Sequence, residues 1–190
     1  MKSILISIKP KYVAKILNRE KTIEVRKKFP IDYVGWVYIY CTKEDNLCCI
    51  RKISRDRYIC GKDFDIRDFP NLSSGYEGKG KVVARFWCDK VDNFYDFDDD
   101  LCEQACLDRG KILDYLGNKN GYAIHITKLE IFNYPEELSK FRKYCDKHFG
   151  LFNRCLECKA YCFDELDDYC GIWKVKIKAP QSWCYVETRE

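Results

Sequence analysis

The chain of 190 residues lacks any long apolar run, and it is poor in histidine and methionine, with two His and one Met. A membrane-spanning helix needs about 20 consecutive apolar residues, and no stretch here approaches that length. The opening residues Met1-Lys-Ser-Ile-Leu5 turn polar too soon for a secretory signal peptide. We therefore expect a cytoplasmic protein with no membrane partner.

Several signatures of catalysis and metal binding are also missing. The sequence has no Gly-rich phosphate loop, no nucleophile-elbow serine and no spacing that indicates a Ser-His-Asp set. Asp96, Asp98 and Asp100 have the spacing that opens a calcium loop, but Leu101 and Leu107 stand where that loop needs glycine and glutamate. These absences exclude a P-loop nucleotidase, a serine hydrolase of known signature and a calcium loop.

Cysteine is abundant, with 13 residues. In a cytoplasmic protein these side chains are reduced thiols or metal ligands, not a disulfide framework. Cys145 and His148 are followed by Cys155 and Cys158, and two such pairs suit one tetrahedral zinc ion. Small buried thiols that fill an insertion would give the same pattern. No cofactor is certain, and a structural zinc at these four residues remains an open alternative.

Aromatic residues are frequent, with 14 Tyr, 11 Phe and 4 Trp, which favours a β-rich fold. Short β-branched stretches predict about six to eight strands, and Pro10 opens a helix with an apolar face. We expect a hairpin over 47–60, a loop over 69–78, helical turns on either side of a break at Gly110, and a helix that starts at Pro135. The pattern predicts an α+β fold in the form of a small mixed barrel with two or three short helices.

Positive charge is concentrated at the start of the chain. Residues 1–30 contain nine Lys or Arg and two Glu, while the whole chain has a net charge of only +4. A basic end beside an acidic remainder is typical of a surface that faces a polyanion, although solvated lysines on a first helix give the same count.

The most informative local pattern is Lys21-Thr-Ile-Glu-Val-Arg26. Because side chains alternate along a strand, Glu24 and Arg26 point the same way, and Lys21 lies at the turn before them. A lysine, a carboxylate and an arginine at one place can bind a phosphate or the edge of a base. A solvated charged strand face is the alternative explanation.

This pattern and both ends of the chain resemble the ASCH family, small β-barrel domains related to the RNA-binding PUA fold. The family has roughly G-x-K-x-x-E-x-R after its first helix, and here Arg19 replaces the glycine. The opening Leu5-Ile-Ser-Ile-Lys-Pro10 resembles the first strand and helix entry of the family, and the close at Pro180-Gln-Ser-Trp183 is similar to that of many phage and gut-bacterial members. The resemblance implies one PUA-like domain over 1–190, with insertions at about 43–78 and 139–171.

We expect the binding site at the mouth of the barrel, where an amide, a hydroxyl and an indole from the closing segment can read or stack on a base. The candidate ligand-binding residues are Lys9, Lys21, Glu24, Arg26, Gln181, Ser182 and Trp183. For Trp183, core packing is an equally good explanation. The sequence therefore favours an RNA- or nucleotide-binding protein, with oligomeric state undetermined.

Two other functions remain open. Some ASCH members are amidohydrolases of acylated cytidine, and the resemblance implies a Lys–Thr pair and a distal glutamate for them. Here Glu24 occupies the position of that threonine and Thr22 lies on the opposite face. Lys21 and Glu24 could still serve as catalytic residues of an amidohydrolase or nuclease. A phage-type accessory protein that sequesters a nucleotide or a host protein is the other alternative.

Overall fold

The computed structural model describes residues 2–44, 48–52, 57–61, 72–117, 119–144 and 177–188. Within those ranges lie three α-helices, α1 Pro10–Leu17, α2 Asp99–Ala105 and α3 Arg109–Leu116, and a one-turn 3-10 helix, Leu138–Lys140. The strands in the same ranges are β1 Ser3–Ile8, β2 Ile23–Arg26, β3 Gly35–Cys41, β4 Cys48–Lys52, β5 Arg57–Gly61, β6 Leu72–Glu77, β7 Val82–Cys88, β8 Val91–Phe94, β9 Gly121–His125, β10 Thr127–Glu136, β11 Phe141–Lys143 and β12 Trp183–Thr188.

The main sheet has six strands in the order β10-β7-β3-β1-β12-β11. Its centre is β1, a run of β-branched and aliphatic residues that is buried along its whole length. β1 pairs in parallel with β3 and antiparallel with β12. The parallel register sets Ile8 beside Cys41, so the carboxyl ends of β1 and β3 meet at one edge of the sheet. Lys9 and Thr42, which directly follow these strands, are therefore brought to the same edge.

Two smaller sheets accompany the main one, with strand orders β2-β9-β8 and β5-β4-β6. The α+β fold class is thus confirmed, but the sheets do not close into a barrel. Among the described strands, β10 and β11 end the main sheet and are not hydrogen-bonded to each other. The hairpin expected over 47–60 is confirmed by the antiparallel pairing of β4 with β5.

Helix α1 packs its apolar face, with Val13, Ile16 and Leu17, into the main core. Pro10 is its first residue, where a missing N–H breaks no helical hydrogen bond. At the other end the Asn18 side chain donates to the Tyr58 carbonyl and accepts from the Tyr58 amide, both at 2.9 Å. These two bonds fix β5 against the end of α1.

Helices α2 and α3 cover the β2-β9-β8 sheet and form a second apolar cluster with it. Asp98 and Asp108 accept hydrogen bonds from backbone amides at the starts of α2 and α3, which satisfies amides that a helix leaves free. In α3, Ile112 and Leu116 are buried in the cluster. Gly117 ends α3 in the left-handed conformation with φ of 62°.

Three local expectations were wrong. The region after Pro135 is not a long helix, because β10 continues to Glu136 and only the 3-10 turn precedes β11. Proline is tolerated there because β10 is an edge strand. Residues 72–77 form β6 through pairing with β4 although their composition favours a loop. Gly110 lies inside the first turn of α3 and does not interrupt a helix.

No helix in the described ranges is long and apolar enough to cross a membrane.

Candidate functional site

Lys21, Glu24 and Arg26 form a buried ion cluster, which we call the floor triad. Their residues are only 2%, 6% and 8% exposed. Glu24 Oε2 lies 3.3 Å from Lys21 Nζ, and Glu24 Oε1 lies 2.9 Å from an Arg26 terminal nitrogen. The explanation as a solvated strand face is therefore wrong. Burying three charges is costly unless they neutralise one another, and both oxygens of Glu24 are used for that purpose.

Backbone carbonyls complete the floor triad. Lys21 Nζ donates to the Ala105 carbonyl at 2.7 Å, and Arg26 donates to the Ser7 carbonyl at 2.5 Å. The Ala105 carbonyl belongs to the last turn of α2, where helix carbonyls carry partial negative charge. The triad thus connects β2 to the end of β1 and to α2.

The turn before Lys21 explains the family glycine that Arg19 replaces. Arg19 has φ of 62°, a left-handed conformation that suits glycine and is uncommon for other residues. Its amide donates to the Ile16 carbonyl at 2.8 Å, and the amides of Glu20 and Lys21 both reach the Lys15 carbonyl. This tight end to α1 turns the chain so that Lys21 enters the interior.

An open cleft of about 750 Å³ lies over the floor triad. That volume falls within the usual range of small-ligand sites. Its walls come from the ends of β1 and β3, the start of α1, the exposed side of α3 and the closing segment before β12. The cleft contains six cationic side chains against the carboxylates of Glu24, Glu44 and Asp114, and the cations are those of Lys9, Lys11, Lys21, Arg26, Lys43 and Lys111.

The floor of the cleft has hydrogen-bonding capacity that its described surroundings do not use. Arg26 Nε and Thr42 Oγ1 are buried, and neither has a hydrogen-bond partner among the described residues. Both residues line the cleft. Buried polar groups in native proteins are nearly always paired, and leaving one unpaired costs about 1–3 kcal/mol. Because both atoms are closed to solvent, a ligand could pair with them only after the side chains around them move.

The rim lysines differ from the floor cations because they are accessible. Lys9 is 62% exposed and lies 3.3 Å from Glu44. Lys111 is 63% exposed and forms an ion pair with Asp108. The Asp108 carboxylate raises the pKa of Lys111, and Lys111 in turn lowers the pKa of Asp108, chiefly by a hydrogen bond. The raised pKa keeps Lys111 charged at neutral pH, and both rim lysines are accessible to an anion from solvent.

The closing segment is fixed to β1 and presents two of the predicted residues to the cleft. Ser7 Oγ donates to the Pro180 carbonyl at 2.6 Å, and the Ser7 amide donates to the Ser182 carbonyl at 2.9 Å. Gln181 is exposed and Ser182 is half-buried, and both line the cleft. The structure therefore brings Lys9, the floor triad, Gln181 and Ser182 together.

Trp183 is placed differently and does not line the cleft. Its indole Nε1 donates to the Lys28 carbonyl at 2.7 Å. The ring makes edge contacts with Phe29 and Tyr185, with centroids 5.5 and 5.4 Å apart. These contacts agree with core packing as the role of Trp183. The indole holds the start of β12 against the segment that follows β2.

The residues proposed as zinc ligands, Cys145, His148, Cys155 and Cys158, lie outside the described residues. Within the described part of the chain, no group of three or more potential ligands could hold a metal ion.

Burial raises the pKa of the Cys88 thiol to about 11, so this buried thiol stays protonated.

Sequence reasoning missed several cleft residues, notably Tyr12, Thr42, Lys111 and Tyr115. Lys111 and Tyr115 are four residues apart, and that spacing on a helix indicates one shared face. Thr42 follows a strand end, as Lys9 does, but only the parallel pairing of β1 with β3 reveals that they are neighbours.

The mixed main sheet, the flanking sheets and the three described helices form an α+β fold of the ASCH type. The crystal structure of ASCH from Zymomonas mobilis matches it with a TM-score of 0.52 at 14% identity, over 97% of this chain and 87% of the other. A serine-to-alanine mutant of the same Zymomonas protein matches with a TM-score of 0.51 at 14% identity, over 97% and 88%. No protein-family model matches the sequence, and no curated protein matches it significantly. The resemblance seen in the sequence is thus confirmed at the level of the fold.

Proposed function

We propose that this protein binds a nucleotide, free or within an RNA strand, in the basic cleft over the floor triad. The observation that carries the proposal is the excess of cations over carboxylates in one cleft of ligand size. Glu24 neutralises part of the floor charge, so the attraction for an anion comes mainly from the rim lysines. An anionic ligand that also offers polar groups to the floor fits this distribution.

The start of α1 adds to the preference for an anion. Lys9, Lys11 and Tyr12 line the cleft, so the amino-terminal end of α1 is at its wall. The first turn of α1 contains no acidic residue, and Lys9 provides no side-chain cap. Pro10 has no N–H and the Tyr12 amide donates to the Lys9 carbonyl at 2.9 Å, so it is the helix dipole, and not a set of free amides, that favours phosphate at this end. A phosphate bound there would have the ammonium groups of Lys9 and Lys11 beside it.

The base would lie deeper or along the aromatic wall. Gln181 can donate and accept, and Ser182 carries a hydroxyl, so together they can pair with the edge of a base. The ring of Tyr12 offers a surface for stacking. Arg26 and Glu24 hold the floor of the cleft in place. Arg26 bonds both to Glu24 of β2 and to the Ser7 carbonyl of β1, and it thereby connects the two strands.

A matched pair of lysine variants tests this proposal. Lys9 and Lys140 are 62% and 60% exposed, and each forms one ion pair with a glutamate. Only Lys9 lines the cleft. Affinity for a fluorescent RNA oligonucleotide would be measured by anisotropy across a salt series for Lys9→Ala and Lys140→Ala.

We expect Lys9→Ala to weaken binding and to reduce the slope of log K against log salt by about 0.7, the value for one lost contact with single-stranded phosphate. Lys140→Ala should bind as the unmodified protein does. Equal effects of the two variants would show that binding is general electrostatics and not a property of the cleft.

A hydrolytic role at the same site is the second candidate, and the Lys21–Glu24 pair on the cleft floor favours it. A carboxylate has more lone pairs than the two ion pairs of Glu24 use. Glu24 could therefore accept a proton from a water molecule bound between it and the ligand. The test follows product formation from acylated cytidine and from RNA. Turnover that disappears in folded Glu24→Gln protein, while ligand binding persists, would support hydrolysis, whereas binding without turnover would leave the cleft as a binding site.

A further inference from the structure

Two tyrosines line the cleft, and each has a lysine ammonium over its ring. Lys11 Nζ lies 4.8 Å from the ring centre of Tyr12, which also has the buried Lys21 Nζ at 5.6 Å, and Lys27 Nζ lies 5.2 Å from that of Tyr115. An aromatic ring with a cation beside it matches one nucleotide, because the base stacks on the ring and the phosphate meets the ammonium. The cleft therefore contains the same arrangement twice, built from separate parts of the chain.

The second pair extends the site beyond the cleft. Tyr115 is 39% exposed and lines the cleft, while Lys27 directly follows Arg26 on β2 but is not part of the lining. Lys27 is itself exposed, and its long side chain can leave the ring when a base stacks there. The cationic surface thus continues outward past the space that a single nucleotide would fill.

The tyrosines of the two pairs line one cleft from different helices, Tyr12 from α1 and Tyr115 from α3. Lys111 precedes Tyr115 by four residues on α3, so these side chains share a face of the helix. The Asp108 carboxylate raises the pKa of Lys111, and the nearby phenol of Tyr12 adds to the effect. Tyr12 of α1 and the Lys111 and Tyr115 side chains of α3 all line the same cleft.

Tyr115 is held on a rigid support. Its neighbour Leu116 and the preceding Ile112 are buried in the cluster that packs α3 on the β2-β9-β8 sheet. Tyr134 and Tyr95 are more exposed, at 78% and 71%, but neither lines the cleft. Position and support, more than exposure, distinguish Tyr115 among the exposed tyrosines of the described chain.

We infer that the cleft takes two consecutive nucleotides of a single-stranded RNA, one base at Tyr12 and the next at Tyr115, so that a polynucleotide and not a free nucleotide is the preferred ligand. The inference rests on the proposed function. The strand must be single because bases in a duplex are already stacked on one another and their faces are not available. Lys11 and Lys27 would then contact successive phosphates.

The experiment compares nucleoside monophosphates with RNA oligomers of two, four and eight nucleotides of mixed sequence. Affinities would be measured by calorimetry for the unmodified protein, Tyr115→Ala, Tyr115→Trp and the control Tyr134→Ala. We expect the dinucleotide to bind about tenfold more tightly than any monophosphate, as one added base–aromatic stack would provide. Tyr115→Ala should lose this gain and keep its affinity for monophosphates, and Tyr115→Trp should retain it.

Other outcomes separate the inference from the proposed function. Equal affinity for monophosphates and oligomers would overturn the second nucleotide position and leave the cleft as a nucleotide site. A loss in Tyr115→Ala that is equal for all ligands, or a matching loss in Tyr134→Ala, would also overturn it. If the unmodified protein binds no monophosphate and no oligomer, the proposed function fails and the inference fails with it.

Discussion

At the scale of single residues, Glu24 is the centre of the site. It contacts both buried cations of the floor triad, and each carboxylate oxygen serves a different partner. From the sequence, Glu24 is expected to accept a proton or a hydrogen bond from a ligand. In the structure its first role is to stabilise the fold. Without its charge, Lys21 and Arg26 would be buried cations that donate to backbone carbonyls and have no carboxylate beside them.

Replacing Glu24 should therefore affect stability strongly. Glu24→Gln keeps the shape and removes the charge, and breaking a buried ion cluster costs about 3 kcal/mol or more. Glu20 provides the control, since it is 40% exposed and pairs with Arg57 at 2.6 Å. Glu20→Gln should lower the free energy of unfolding by less than about 1 kcal/mol. Urea unfolding of both variants measures the difference, and equal losses would mean that the floor triad contributes no more than a surface pair.

Arg19 gives a second test at the residue scale. Its left-handed backbone costs an L-residue about 1–2 kcal/mol, while glycine in the same place adds about 0.5–1 kcal/mol of unfolded-state entropy. The side chain is exposed. Arg19→Gly should thus raise the free energy of unfolding by up to about 1 kcal/mol, measured by urea titration. A clear loss of stability would show that the Arg19 side chain makes a contribution that its backbone conformation does not reveal.

At the scale of elements, the β2-β9-β8 sheet carries Glu24 and Arg26 of the floor triad on β2 and a polar cluster at its far edge. Asp92 of β8 lies 2.8 Å from His125 of β9 and 2.9 Å from Lys90. Burial acts to raise the pKa of Asp92, but hydrogen bonds from Lys90 and His125 outweigh it, and the pKa is lowered. The cluster therefore stabilises the folded state while Asp92 is ionised.

This lowered pKa predicts how stability depends on pH. The stabilisation is present above the unfolded-state pKa of about 3.9 and is lost as the pH falls through the lower folded-state value. Because Asp92 is 41% exposed, the contribution should not exceed about 1 kcal/mol. Thermal melts should show Asp92→Asn less stable than the unmodified protein near neutral pH, with the two converging in acid. A constant difference down to about pH 2 would contradict this assignment.

Some elements and side-chain positions can be predicted from the sequence, and others depend on tertiary pairing. The floor triad could be predicted because strand alternation sets Glu24 and Arg26 on one side, and α1 could be predicted from Pro10 and its apolar spacing. The helix after Pro135 could not be judged correctly, because the edge position of β10 is a tertiary fact. The cleft contribution of Thr42 likewise depends on a parallel pairing that no local pattern encodes.

At the scale of the whole molecule, the fold places two different aromatic surfaces on one protein. One is the cleft with Tyr12 and Tyr115. The other lies on the main sheet, where Trp36 and Trp87 are opposite each other in the strand register and Arg85 lies 4.1 Å from the ring centre of Trp36. Arg85 is occupied there by Glu130 at 2.6 Å and by Tyr38 at 3.3 Å. The proposed nucleotide site is the cleft alone.

Photo-crosslinking tests that assignment most directly. An RNA oligonucleotide that contains 5-bromouridine would be bound, irradiated and digested, and the modified peptides identified by mass spectrometry. If the cleft is the nucleotide site, the crosslinks are expected at Tyr12 and Tyr115, which line it. Crosslinks confined to Trp36 and Trp87 on the main sheet, or none under conditions where the RNA is bound, would contradict it.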